Sequence, residues 1–153
     1  MAAHILIAED DEDLAFLLQE AFKREGHRVE IEATGAKALE RLRRGAYDLF
    51  LLDARLPDVN GLELLPRCQE LAPDVPIIVM TAYSTRQIAL EATRKGAYDF
   101  FSKPFQLPEV QIVIRRALER RRLQMELAVL RRSLQGKGGA GILGESQIGR
   151  AHV

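Results

Sequence analysis

The feature that most constrains the fold is an alternation: five short apolar runs, separated by longer segments whose apolar residues return at helical spacing. The runs are HILIA (4–8), RVEIE (28–32), YDLFLL (47–52), VPIIVM (75–80) and AYDFFS (97–102), and their length and content read as strands. The intervening segments carry apolar stripes: Leu14, Leu17, Leu18, Ala21 and Phe22; Ala38, Leu39 and Leu42; Leu62, Leu65 and Leu71; Ile88, Ala89 and Ala92. Each stripe suits a helix with one buried face. Gly26, Gly45 and Gly96 follow basic or polar last turns, where a left-handed residue closes a helix. Such alternation predicts a parallel sheet with right-handed crossovers. Because LFLL and IIVM are apolar at consecutive positions, both faces of those strands must be covered. The expected fold is an open, doubly wound α/β sandwich.

In such a sheet ligands bind beyond the carboxyl ends of the strands, where strand order reverses, so the residues just after each run are informative. Glu9, Asp10 and Asp11 follow the first run, Asp53 the third, Thr81 the fourth and Lys103-Pro104 the fifth; the second ends in the less telling Ala33-Thr34. Acids, a hydroxyl and an amine thus converge on one rim. Oxygen donors of this kind suit Mg²⁺, which takes one or two carboxylates and keeps waters and a phosphoryl oxygen. Asp53 stands at the edge of the apolar run Leu49, Phe50, Leu51 and Leu52, where a charge is costly unless a partner or metal compensates it. A carboxylate held there beside a metal and a lysine stays ionised and can attack phosphorus to form an acyl phosphate. Asp53 is the candidate nucleophile, Lys103 a point cation for the transferred group, and Thr81 a hydroxyl that senses it.

Composition narrows the alternatives. With 22 basic and 22 acidic residues among 153, no net field directs the chain to nucleic acid or to an anionic membrane. No apolar run is long enough to span a bilayer or shaped as a signal peptide, and a single cysteine, Cys68, excludes a disulfide framework. A cytoplasmic location is the expectation. Cys68 falls among Leu64, Leu65 and Leu71 at helical spacing and reads as a small core residue. His4, His27 and His152 show no paired spacing for a metal and read as bystanders. Asp11 and Asp13 suit the capping turn of the first helix.

Four segments, in order, carry a resemblance to the receiver domains of response regulators. ILIAEDDEDL resembles their first strand and acidic pair, LFLLDARLPDVNGLELL their phosphoacceptor loop, PIIVMTAY their switch-threonine strand, and GAYDFFSKPF their lysine-proline turn. The resemblance covers residues 4–120 and implies a flavodoxin-like, five-stranded sheet in the order 2-1-3-4-5. It implies Glu9 and Asp10 as the metal-binding acidic pair, Asp53 as phosphoryl acceptor, and the backbone carbonyl of Arg55 as the third protein ligand to Mg²⁺. Thr81 and Lys103 take the phosphoryl-sensing and charge roles, and the Lys103-Pro104 bond is expected to be cis, an isomer that proline makes accessible. Glu9 stands where an aspartate is usual and lengthens the reach to the metal or its waters. Phe100, three residues before the lysine, occupies the place of a rotating aromatic switch; lacking the hydroxyl of a tyrosine, its positions must differ by packing alone. The implied function is a phosphorylation-dependent switch of a two-component system. A sensor histidine kinase or a small phosphodonor supplies Asp53 in the presence of Mg²⁺, with only slow self-transfer and self-hydrolysis expected in place of enzymatic turnover.

Beyond Phe105 the sequence changes character. LPEVQIVIRRALERRRLQMELAVLRRSLQ (107–135) is one long helical pattern in which Val110, Ile114, Ala117 and Leu118 can pack on the sheet. The later Leu123, Leu127, Leu130 and Leu134 repeat at spacings of four and three and want a partner helix. A homodimer through this helix is expected, with the face of the fourth helix, fifth strand and fifth helix as a further contact. Arg115, Arg116, Arg120, Arg121 and Arg122 form a basic block, but Glu119 and Glu126 are interspersed with it, and no direct nucleic-acid contact is expected from it. GKGGAGILGES (136–146) reads as a flexible linker. Its GILGES resembles the lead-in to the AAA+ ATPase domain of NtrC-type activators, those working with the nitrogen-type sigma factor. No phosphate-binding Gly-Lys-Ser/Thr loop follows before Val153, so ATP hydrolysis is not expected of this chain. QIGRAHV does not resemble the family's continuation and reads as artificially appended. The expected organisation is a receiver over 1–120, a helical linker over 121–135 and a tail over 136–153, together part of a longer transcriptional activator.

Two readings from other classes compete. A phosphoaspartyl phosphatase of the haloacid-dehalogenase kind also places an aspartate after an apolar strand. It needs a second carboxylate at the position of Arg55 as general acid, and arginine cannot release a proton. A nonphosphorylated interaction module would keep the acidic rim only as a helix cap.

Overall fold

In the computed structural model, which describes residues 2–138, strands and helices alternate from end to end. The order is β1 (His4–Ala8), α1 (Glu12–Arg24), β2 (Arg28–Glu32), α2 (Gly35–Arg44), β3 (Leu49–Asp53), α3 (Gly61–Leu71), β4 (Ile77–Thr81), α4 (Arg86–Arg94), β5 (Asp99–Ser102) and α5 (Leu107–Gly138). All strand pairings are parallel and the sheet order is β2-β1-β3-β4-β5. The last three strands begin two residues later than the apolar runs suggest. Tyr47 and Val75 are buried, but they lie ahead of the ladder, in the connections that bring the chain back from the helices.

The doubled apolar character of the runs has the expected cause. Leu6, Ala8, Phe50, Leu52, Ile77 and Val79 face one layer, with Ala38, Leu42, Leu62, Leu65, Cys68 and Ala92 of α2, α3 and α4. Their alternates Ile5, Ile7, Leu49, Leu51, Ile78 and Met80 face the other, with Leu18 and Phe22 of α1 and Val110, Ile114, Ala117 and Leu118 of α5. Each large aliphatic side chain so buried stabilises the fold by about 1.5–3 kcal/mol. In α1 the stripe differs from expectation at one residue: Leu17 is exposed and Ala15 is buried in its stead. At 100° per residue, Leu14, Ala15, Leu18, Ala21 and Phe22 share a face and Leu17 falls on its flank.

Helix ends follow local chemistry. Asp11 caps α1, its carboxylate accepting from Asp13 N–H and Leu14 N–H; Asp13 itself lies in the first turn, where a negative charge favours the helix dipole without capping. Gly26 and Gly96 adopt positive φ, +93° and +104°. Gly45 does not: its φ is −99°. There glycine supplies space, because a Cβ would press on the Tyr47 ring.

The chain forms two compact units divided between Arg121 and Arg122. Within the second, Leu123, Leu127, Leu130 and Leu134 are exposed, and Arg122 pairs with Glu126 at 2.7 Å. The helix passes the expected stop at 135 and continues to Gly138; one glycine weakens a helix by about 1 kcal/mol relative to alanine without forbidding it. The rest of the expected linker, GILGES, QIGRAHV and His152 lie outside the described residues.

One close approach fixes how the β3–α3 loop returns to its strand. Gly61 N–H donates to Ala54 O at 2.6 Å, and a Cβ on Gly61 would fall on the Asp53 carbonyl oxygen and Ala54 Cα. Gly61→Ala is therefore expected to lower stability by about 1–3 kcal/mol, read as a shift in the urea midpoint. Gly136→Ala, with nothing within 4 Å of the added carbon, is expected to leave that midpoint unchanged or raise it. Equal midpoints for the two variants would show that the loop is not tightly seated on Asp53.

Candidate functional site

Among the described residues, Glu9, Asp53 and Thr81 are the polar or charged side chains buried with the core, at 2%, 4% and 2% exposure. All three stand at the carboxyl ends of strands. Ala8 is in register with Leu52 on β3, and Asp53 with Met80 on β4, so Glu9 and Asp53 follow one another across adjacent central strands. Thr81 is in register with Ser102, and the next residue, Lys103, donates its N–H to Thr81 O at 2.7 Å. The topology, not any local motif, gathers residues from four segments on one rim.

Lys103 joins them. Its Nζ donates to Glu9 Oε1 at 2.7 Å and to Asp53 Oδ2 at 2.9 Å. The remaining oxygens accept backbone groups: Glu9 Oε2 from Asp11 N–H at 3.1 Å, and Asp53 Oδ1 from Arg55 N–H at 2.9 Å. Carboxylate oxygens of Glu9, Asp10 and Asp53 lie within 4.8 Å of one another. The cleft they line, about 260 Å³, is closed by Asp11, Arg55, Leu56, Pro57, Ala82 and Tyr83. Burial, and then the neighbouring Asp53 carboxylate, push the Glu9 carboxyl up to about 7, against the opposing pull of Lys103 and Asp11 N–H. Burial draws Lys103 down, but its bonds to Glu9 and Asp53 outweigh that and hold it above the usual lysine value.

The donor set fits a hard divalent cation. Three carboxylates face one ammonium, and ionisation of all three leaves two negative charges that a divalent ion balances. The upward displacement of Glu9 arises first from its burial and only then from the neighbouring Asp53 carboxylate.

The other expected residues fall as follows. Arg55 sits immediately beyond Asp53, and its guanidinium lies 3.8 Å from the centroid of the Tyr83 ring, across the mouth of the cleft. Thr81 Oγ1 accepts from Tyr83 N–H at 3.0 Å. Phe100 is half-buried against the α2–α4 side of the core, and Phe101 against the α1–α5 side. The Lys103-Pro104 bond is cis. Cys68 is buried, and burial pushes its thiol up to about 12, as suits a core residue.

Some partners escaped the sequence reading. Ser102 Oγ donates to Ser84 Oγ at 2.6 Å, joining the loops that carry Lys103 and Thr81. His4 is a structural residue: Nε2 lies 2.7 Å from Glu30 Oε2 and Nδ1 3.2 Å from Ala46 O. His27 Nδ1 accepts from Ala3 N–H. No spacing in the sequence announces these pairs, which depend on which strands become neighbours.

Known proteins agree with this geometry. A family model described as "Response regulator receiver domain" matches residues 5–115. The DNA-binding transcriptional regulator NtrC of Rhizobium meliloti (strain 1021) is 40% identical over 116 residues, covering 76% of this chain and 24% of that protein. Among solved structures, NtrX from Brucella abortus in complex with ADP superposes with a TM-score of 0.77 at 33% identity, covering 86% of this chain and 29% of that one. The beryllofluoride-activated NtrC4 receiver domain dimer superposes with a TM-score of 0.74 at 27% identity, covering 77% and 98%. The chain belongs to the response regulator receiver domain family. It spans about a quarter of the length of the NtrC proteins it matches.

The displaced Glu9 carboxyl sets a pH dependence. Its folded value, about 7, lies above the ordinary 4.5, so between those values the folded chain binds more protons than the unfolded one. The contribution is fully favourable below about pH 4.5 and is lost as pH rises through 7. In chelator, the melting temperature of the wild type relative to Glu9→Gln is expected to fall from pH 5 to pH 8, as followed by circular dichroism. A difference that stays flat or rises with pH would contradict a Glu9 carboxyl raised by burial.

Proposed function

We propose that the chain is a phosphorylation-dependent switch of two-component signalling, receiving a phosphoryl group on Asp53 from a sensor histidine kinase or a small phosphodonor. The observation that carries this reading is the Lys103 ammonium held between Glu9 and Asp53, beside Asp10. In the transfer, an Asp53 carboxylate oxygen forms the bond to phosphorus. The bond from phosphorus to the donor atom, a histidine nitrogen of the kinase or an oxygen of a small phosphodonor such as acetyl phosphate, breaks, and its electron pair stays on that atom. Glu9, Asp10, Asp53 and the Arg55 carbonyl would hold Mg²⁺, which when bound would supply the positive charge that the acidic rim and the phosphoryl oxygens lack. Lys103 pairs with a phosphoryl oxygen in the product. Thr81 turns its hydroxyl from Tyr83 N–H to that group, and Phe100 repacks beside it.

The organisation that fits this mechanism is a receiver over 1–120, a helical linker over 121–135 and a tail over 136–153 leading to a AAA+ output domain in a longer, cytoplasmic NtrC-type activator. Two copies pair through the exposed Leu123, Leu127, Leu130 and Leu134. The α4, β5 and α5 face, which exposes Leu90 and Ile112, is the second contact that phosphorylation alters. Turnover is limited to slow self-phosphorylation and self-dephosphorylation.

With Mg²⁺ and acetyl phosphate, intact-mass spectrometry is expected to register a single labile phosphoryl group on the wild type and none on Asp53→Asn. Continuous release of inorganic phosphate at enzymatic rates would favour the phosphatase reading, and an unmodified wild type the interaction module. Light scattering supplies a second check. Beryllofluoride is expected to change the mass in solution of the full chain, while a chain ending at Arg121 stays monomeric and Thr81→Ala is phosphorylated without the change. An unchanged mass for the wild type would overturn control through dimerisation.

A further inference from the structure

One carboxylate outside the acidic rim ties the phosphoacceptor loop to a different helix. Asp58 lies in the β3–α3 loop, and its two oxygens accept the backbone N–H groups of Gly35 at 2.8 Å and Ala36 at 3.0 Å, the first residues of α2. That helix has a local cap in Thr34, whose hydroxyl accepts from Lys37 N–H, but its first turn contains no acid. Asp58 supplies from a distance both the missing acceptors and the negative charge that a helix N-terminus favours. The two N–H groups hold the Asp58 carboxyl below its usual range. Packing reinforces the junction, since a Cβ on Gly35 would collide with the Val59 and Leu64 side chains.

The other end of the loop is fastened to the site. Arg55 N–H donates to Asp53 Oδ1, Arg55 bridges to Asn60, Leu56 N–H donates to Val59 O at 3.2 Å, and Gly61 N–H returns to Ala54 O. The loop is thus a short closed turn with Arg55 at its inner edge and Asp58 at its outer one. A backbone carbonyl has no rotamer with which to correct a misplaced turn, and Mg²⁺ tolerates little departure from octahedral geometry.

We infer that Asp58 is a positioning residue for the cation site: anchored on α2, it sets the placement of the Arg55 carbonyl, and cation binding is felt in return at the first turn of α2. This rests on the reading above in which Glu9, Asp10, Asp53 and the Arg55 carbonyl hold Mg²⁺. The coupling is reciprocal by linkage. Whatever stiffens the inner edge of the loop protects the N–H groups bound at its outer edge.

The test uses the full chain, with Mg²⁺ affinity from calorimetry and amide hydrogen exchange by NMR. Removal of a group bonded directly to a metal ligand costs on the order of tenfold in affinity; Asp58 acts on the Arg55 carbonyl through the loop and not by contact, so a several-fold weakening, below that figure, is expected of Asp58→Ala. Asp58→Asn, retaining one acceptor oxygen, is expected to fall between it and the wild type. In the wild type, Mg²⁺ is expected to slow exchange at Gly35 and Ala36 while leaving Ile88, capped by Thr85, unchanged; in Asp58→Ala that response disappears. A purely structural role would speed exchange throughout and leave Mg²⁺ affinity intact. Equal Mg²⁺ affinities for wild type and variants, or no response at Gly35 and Ala36 in the wild type, would overturn the inference and leave the metal reading standing. Failure of the wild type to bind Mg²⁺ would remove both. Should Asp58→Ala not fold, Asp58→Asn and the wild-type exchange pattern decide.

Discussion

The structure depends on one ammonium held between two carboxylates at the edge of the core. Glu9 and Asp53 are almost completely buried, and each would impose a large desolvation penalty if left alone. Lys103 offsets part of that penalty with two bonds under 3 Å. Taking one partner from a buried pair typically costs about 3–5 kcal/mol, so the three residues stand together. Lysine suits the task because its charge is compact and its stem long. From the turn after β5 it passes the end of β4 to reach Glu9, which follows β1, and Asp53, which ends β3. The sheet order makes this possible by setting β1 beside β3 in the centre.

The compensation is incomplete, and that is chemically useful. A single ammonium against Glu9, Asp10 and Asp53 leaves the rim short of positive charge, and burial together with the Asp53 carboxylate raises the Glu9 carboxyl despite Lys103. A site balanced by its own residues would have no reason to recruit a cation, and one without Lys103 would leave two buried carboxylates with no cationic partner. The arrangement lies between those limits. On the proposed reading, that shortfall is what a divalent ion, and with it a phosphoryl group, would make up.

Much of this was legible in the sequence because it follows from periodicity. Runs apolar at every position require a sheet covered on both faces, and the positions just past those runs pick out Glu9, Asp10, Asp53, Thr81 and Lys103 without further information. What escaped depends on contacts between distant segments. Asp58 caps a helix that begins over twenty residues earlier, and nothing in PDVNG distinguishes a carboxylate aimed at a foreign helix from one that closes its own turn. His4 looked idle because its partners, Glu30 and Ala46 O, are neighbours only once β1 pairs with β2 and the chain returns through β3. Gly45 departs from expectation for another reason. A glycine after a helix satisfies two needs, positive φ or room for a neighbour, and only the placement of Tyr47 decides between them.

The loops around the cleft are held differently from the frame beneath them. Thr81 Oγ1 with Tyr83 N–H, Ser102 with Ser84, and Arg55 over the Tyr83 ring are single, partly exposed contacts. Neutral hydrogen bonds contribute about 0.5–1.5 kcal/mol each, and an exposed cation–π pair about 0.5–1 kcal/mol. Their sum is no more than a few kcal/mol. On the proposed reading, an aspartyl phosphate offers Lys103 and Thr81 charge-assisted bonds of about 1.5–3 kcal/mol each, enough to outweigh the resting contacts. The core rows of Ile, Leu and Val do not enter that balance, because nothing the phosphoryl group touches reaches them directly. On that reading the rim would change conformation while the sheet stayed fixed, since a ligand shifts such an equilibrium only by its differential interaction with the two states. The weakness of the rim contacts is therefore a condition of switching: were Thr81 held as firmly as Lys103, phosphorylation would add charge without moving anything.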